Sequence, residues 1–146
     1  MEPDTTRRRF VRHGVLIFLF GLMAGAFVPW LANPRMGLSA HLGGVMSGTF
    51  LMVMAMVWNE IKLPARTERI AIWLFLCASH TGWLAQFLAA LFGTGRSMPV
   101  VGAGFRGALW QENLVDFVAI SFSLTIAVAG LLALWGLRKG ASRQGV

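Results

Sequence analysis

Four apolar runs, each long enough to cross a bilayer, constrain this chain more than any other feature. They cover residues 11–31, 39–63, 70–92 and 110–137, and about 20 residues suffice for a helix to span the hydrocarbon core. In lipid, backbone groups must be paired within a helix or around a closed barrel. The runs are continuous and do not alternate, and too few strands could be cut from them to close a barrel. The expected fold is therefore all-α: an integral membrane four-helix bundle in a single domain of 146 residues. The breakers "NPRMG", "KLPARTER" and "GTGRSMPVVGAGFRG" separate the runs. The first two are short, so helices one, two and three should be antiparallel neighbours. The third is longer and glycine-rich, as functional caps often are.

Charge fixes an expected orientation. Ten cations (Arg7, Arg8, Arg9, Arg12, Lys62, Arg66, Arg69, Arg138, Lys139 and Arg143) fall on one side of the runs. Three (Arg35, Arg96 and Arg106) fall on the other. By the positive-inside rule both termini are cytoplasmic, in a bacterial-type inner membrane crossed several times. The formal net charge of +7 does not imply nucleic acid, because the cations flank apolar runs and form no stripe with aromatics between them. "TRRRFVR" resembles a twin-arginine export signal. The run after it is long, however, and "VPWLANPRM" has no small-residue cleavage site, so the segment is expected to stay as the first span. Trp30, Trp58, Trp73, Trp110 and Trp135 fall near the expected helix ends, where indoles anchor at headgroups; Trp83 falls mid-helix. The single cysteine, Cys77, is expected to be an apolar filler.

Polar groups inside a bilayer are costly and so are candidates for function. His41 opens the second run, with Gly44, Val45 and Gly48 at +3, +4 and +7, so the helix surface beside the imidazole is nearly bare. Bare surface suits close helix packing, and "GVMSG" is a GxxxG match. Less commonly it suits a flat cofactor, with the imidazole as an iron ligand; a proton relay is a third use. His80 lies mid-way along the third run. There it could bond across a helix interface, ligate iron or touch substrate. His13, among arginines, is expected to be solvated. In "WQENLVDF", Glu112 sits where a helix N-terminus favours negative charge, and reads as a capping residue. Asp116, one turn deeper, is expected to pair with Arg96, Arg106 or a histidine. No H-E-x-x-H, nucleophile elbow or P-loop occurs, which leaves hydrolase and nucleotide-driven chemistry without support.

The string "ANPRMGLSAHLGGVMSGTFL", with "FLAALFGTG" and "WQE" further on, resembles the hydroxylaminobenzene mutase family and, more distantly, styrene oxide isomerase. That resemblance implies a small four-helix membrane enzyme forming a homotrimer, with haem b between neighbouring subunits. It implies a second-helix histidine as axial ligand and ferric iron as a Lewis acid on the substrate oxygen. His41 matches the ligand position, with Gly44 and Gly48 giving the porphyrin room. Ser47 stands where that family usually carries asparagine. A third-helix tyrosine of the isomerase has no match, and Gln86 or His80 falls near its place.

The expected function is a redox-neutral rearrangement of an aryl hydroxylamine or an aryl epoxide. Ser47, His80, Gln86, Asn113 and Asp116 are candidates for lining a pocket for a small aromatic substrate. A haem-bearing electron-transfer or sensor subunit, with His41 and His80 both on iron, is the rival from another class. A packing protein without cofactor is the third reading.

Overall fold

The computed structural model describes residues 3–141, with side chains described for residues 5–138. Its long helices are α1 (Pro3–Phe27), α2 (Pro34–Val57), α3 (Ala65–Phe92) and α5 (Leu109–Ala141). A single turn, α4 (Pro99–Gly102), lies in the connection between α3 and α5, and no strand occurs among the described residues. All four long helices are long and apolar enough to cross a membrane. The shortest, α2, has 24 residues and runs about 36 Å at 1.5 Å per residue.

Helix α1 lies along α2, α2 along α3, and α3 along α5, with a lighter contact between α1 and α3. Paired positions show each successive contact to be antiparallel. Gly14 meets Gly48 and Gly21 meets Gly44 across α1–α2; Trp83 meets Gly44 and Gln86 meets Gly43 across α2–α3; Phe122 meets Gly82 across α3–α5. The helices do not close a symmetric bundle. α5 leans on α3 and makes no comparable contact with α1 or α2. Almost none of its apolar stretch is buried, against nearly half of that of α3.

The core has two parts. One lies under the end where the arginines gather, around Phe10, Ile17, Leu51, Trp58, Ile72 and Phe75. Trp58 is only 4% exposed, packs on Phe10, and donates its indole N–H to Glu68 at 3.1 Å. It is a core residue and not the headgroup anchor its position suggested. Trp30, Trp73, Trp110 and Trp135 are exposed, as anchors are. Cys77 is also exposed on α3 and fills no part of the core.

The second part of the core, with Met36, Ala89, Ala90 and Val115, lies at the other end and is tied by Asn33. This residue caps α2, its Oδ1 accepting from the Arg35 and Met36 N–H groups, with Pro34 supplying the pre-set φ of a first helical position. Its Nδ2 donates to the Gly102 carbonyl at 3.2 Å, and its backbone N–H to the Ala90 carbonyl at 3.0 Å. One fully buried asparagine thus joins α2, α3 and the α4 turn.

Candidate active site

The glycines of the second run are consumed by helix packing. A Cβ built on Gly44 would lie 2.5 Å from the Gly21 Cα, and one on Gly48 would lie 2.6 Å from the Gly14 carbonyl oxygen. Both residues are buried. The space that Gly44 and Gly48 were expected to leave for a porphyrin is taken up by the backbone of α1. Of the two uses of bare helical surface, close helix contact is the one realised.

That contact sets up His41. Its Nδ1 lies 2.9 Å from the Gly21 carbonyl oxygen. A carbonyl only accepts, so Nδ1 carries the proton and Nε2 keeps its lone pair. Nε2 has no hydrogen bond and is not buried. Gly25 makes this possible, since a Cβ there would stand 2.5 Å from Nδ1. The glycine that admits the imidazole is Gly25, on the neighbouring helix, while Gly21 lets α1 close on Gly44 and presents its carbonyl to Nδ1. Their own GxxxG spacing in "GLMAG" was the available signal. Leu22, next to Gly21 in the chain, and Leu38 and Leu42, three residues before and one after His41, are exposed.

An imidazole whose outer nitrogen donates to a backbone carbonyl, with the other nitrogen open, is the usual state of a histidine that ligates a metal. His41 therefore fits an axial haem ligand in tautomer, accessibility and apolar surroundings. Gly44 and Gly48 do not fit as porphyrin space. A group held by His41 would lie outside the α1–α2 contact, against the exposed leucines.

On the side of α2 that faces α3, Gln86 lays its amide over Gly43, where a Cβ would come within 2.6 Å of it. The amide donates to the Gly82 carbonyl at 3.3 Å. Ser47 is one turn beyond Gly43 on the same strip. Thr49, Thr81, Ser121 and Thr125 bond back to their own helices, whereas the Ser47 hydroxyl has no partner. Trp83 is stacked between Phe20 and Phe87, with ring centroids 5.1 Å away on each side. Its indole N–H is buried without an acceptor. Gln86 thus reaches the turn of α2 that carries His41, but on the face towards α3, beside an aromatic stack that accounts for the mid-helix tryptophan, whereas His41 is on the face towards α1.

The other candidates go elsewhere. His80 donates from Nδ1 to the Leu76 carbonyl at 2.8 Å, and its Nε2 lies 3.4 Å from Nδ1 of His13. His13 is thus a half-exposed partner of His80 rather than a residue held by solvent alone. His13 precedes Gly21 by eight residues, about 12 Å along α1, so His80 and His41 of one chain do not face a common iron. Asn113 and Asp116 hold Arg96. Asn113 Oδ1 accepts at 2.6 Å, Asp116 Oδ2 accepts from Nε at 2.7 Å, and Ser97 also donates to Asp116. Arg96 is the partner, of the three expected, that Asp116 takes. The groove that Asp116 lines, with Arg96, Ser97, Ala119, Ile120 and Ser123, includes neither His41 nor Ser47. Glu112 is buried and accepts the backbone N–H groups of Gly95, Arg96 and Gly107 at 3.0–3.3 Å. It clamps both feet of the glycine-rich loop, and the capping contact expected of it is made instead by Gln111, whose Oε1 accepts from the Ala108 N–H at 2.7 Å at the start of α5.

The match to known proteins covers this whole arrangement. The family model described as styrene oxide isomerase matches residues 6–138. The chain belongs to the styrene oxide isomerase family. Hydroxylaminobenzene mutase HabB of Ectopseudomonas oleovorans is 40% identical over 138 residues, 94% of this chain and 84% of the relative. Hydroxylaminobenzene mutase HabA of the same organism is 33% identical over 125 residues, 85% of this chain and 93% of the relative. No solved structure matches significantly. A mutase is an isomerase, and this family member is an isomerase.

Proposed function

We propose that this isomerase rearranges an N-aryl hydroxylamine to an aminophenol, with haem b held by His41 Nε2. The observation that carries the reading is the Nδ1–Gly21 hydrogen bond, which leaves Nε2 as an open, aimed lone pair. The names of the two mutases favour a hydroxylamine over an aryl epoxide, the second substrate class that the family's name supports. When bound, ferric haem supplies an electron-pair acceptor for the substrate oxygen. The reaction is redox-neutral. The N–O bond breaks, a C–O bond forms on the ring, and the ring proton displaced there is balanced by one gained at nitrogen.

This chain's residues supply aim and exclusion. The Gly21 carbonyl fixes the imidazole tautomer and raises its basicity. Leu22, Leu38 and Leu42 offer an apolar surface to an aromatic ring and keep water from a developing cation. Ser47 and Gln86, on the strip of α2 that faces α3, are candidates for contacting the substrate. Since α1 occupies the inner side of His41, haem would lie on the outside of the single chain. A homotrimer with haem at each subunit interface supplies its second wall, and the bare surface of α5 supports such an association. The protein would sit in the inner membrane with both termini cytoplasmic.

The test is the absorption spectrum of protein purified in detergent from haem-replete cells, with parallel assays on hydroxylaminobenzene and styrene oxide. High-spin ferric haem, perturbed by an oxygen-bearing ligand and lost in His41→Ala with helicity unchanged, is expected. Absence of a Soret band, or full haem content in His41→Ala, would refute the assignment.

A further inference from the structure

A second site lies where α1 and α3 diverge, at the arginine-bearing end of the molecule. A cleft of about 480 Å³ is lined by Arg9, Arg12, His13, Leu16, Trp73 and Leu76. On α1 the lining residues fall at i, i+3, i+4 and i+7, one face of a helix. The face grades from two guanidinium groups, through an imidazole, to a leucine about 10 Å deeper along the axis. Trp73 and Leu76 form the opposite wall. Among the described residues neither arginine has an ion-pair partner, Arg96–Asp116 being the ion pair found there. Two cations over an apolar wall, beside an exposed indole, match the layout of an anionic amphiphile whose chains run into the bilayer.

The histidine pair adds specificity. His80 Nδ1 donates to Leu76, so its Nε2 can only accept, and His13 must donate from Nδ1. Nε2 of His13 is then an acceptor in the cleft that this residue lines. Two arginines beside a hydrogen-bond acceptor suit a headgroup with a phosphodiester and a free hydroxyl. We propose that this cleft binds an anionic phospholipid of that kind, phosphatidylglycerol being the simplest. The proposal rests on α1 and α3 crossing a membrane and is independent of haem.

The test uses the full chain in mixed micelles, with lipid retention read by native mass spectrometry and affinity by titration. Three probes are compared: phosphatidylglycerol and phosphatidylcholine of the same chain length, and inorganic phosphate. Saturable retention of one phosphatidylglycerol is expected, with phosphatidylcholine and phosphate much weaker. Removing a cation at a membrane surface costs about fivefold, so the Arg9→Gln/Arg12→Gln double variant should bind roughly 25-fold more weakly. Arg9→Lys/Arg12→Lys should retain most of the affinity, and Arg138→Gln, a change of charge elsewhere, should leave it unaltered. Equal binding of the two lipids would overturn the proposal. So would equal weakening by Arg138→Gln, which would mark a diffuse charge effect. Phosphate binding as tight as the lipid would show an anion site with no part for the apolar wall.

Discussion

The substitution Gly25→Ala adds one methyl group and should disable the candidate haem site without unfolding the protein. The added Cβ would stand 2.5 Å from His41 Nδ1, 2.9 Å from Cγ and 3.1 Å from Cε1. An imidazole is rigid, and carbon contacts relax only near 3.5 Å, so the ring must move by about 1 Å. The Nδ1–Gly21 bond, 2.9 Å long, is then stretched beyond hydrogen-bonding range. Loss of an outer-shell partner of a metal ligand lowers affinity about 10- to 100-fold, or about 1.4–2.7 kcal/mol. Replacing a mid-helix glycine by alanine gains up to about 1 kcal/mol of helix propensity, which offsets the lost hydrogen bond of about the same size. The fold should therefore persist while haem affinity falls. The assay is titration of haem into apoprotein, followed at the Soret band, with thermal unfolding alongside. Gly43→Ala is the control, since its methyl group would meet the Gln86 amide at 2.6 Å, the far end of a flexible chain that can swing away. Haem affinity in Gly25→Ala equal to wild type would refute the claim that the Gly21 carbonyl aims His41.

Glu112→Ala should destabilise the protein by at least about 3 kcal/mol, because three backbone N–H groups lose a charged acceptor; faster proteolysis within residues 95–107 and a lower unfolding temperature would register it. Ser47→Asn should raise turnover of hydroxylaminobenzene about tenfold to hundredfold at unchanged haem content. An amide can donate to oxygen as charge develops there, a gain of about 1.5–3 kcal/mol; slower turnover on both hydroxylaminobenzene and styrene oxide would show a pocket already fitted to serine. Both termini should be cytoplasmic, and labelling of a C-terminal tag from the outer side of the inner membrane would reverse the orientation.

The helices were legible in the sequence because continuous apolar runs leave few alternatives, but their ends were not. Hydropathy marks what lipid tolerates, whereas α2 begins at Pro34 because Asn33 caps it, and α1 carries its helix through the arginines. The antiparallel neighbours followed from loop lengths. The limited packing of α5 did not follow, since an apolar helix reads alike whether it faces a partner or lipid. At the site, His41 stood out as a polar group in a glycine-rich apolar run, and the Asp116–Arg96 pair followed from charge and position, whereas the loop clamp made by Glu112 did not. The His13–His80 contact escaped because sequence neighbours dominated the reading of His13, while its partner lies 67 residues away. The packing of α1 on Gly44 and Gly48 was not legible for a related reason. Helical spacing shows where side chains are missing, and not which neighbouring helix moves in.

The aim of His41 belongs to a pair of helices and not to one residue. The imidazole is oriented by a carbonyl of α1, and α1 is held at that distance because Gly14, Gly21, Gly44 and Gly48 have no side chains to separate the backbones. The histidine therefore acts as a gauge of the gap between α1 and α2. A change that splays the two helices at Gly14, about 10 Å along α1 from Gly21, should reach the imidazole without touching it. A detergent or bilayer that loosens this seam would erase the site in a protein that still looks fully helical.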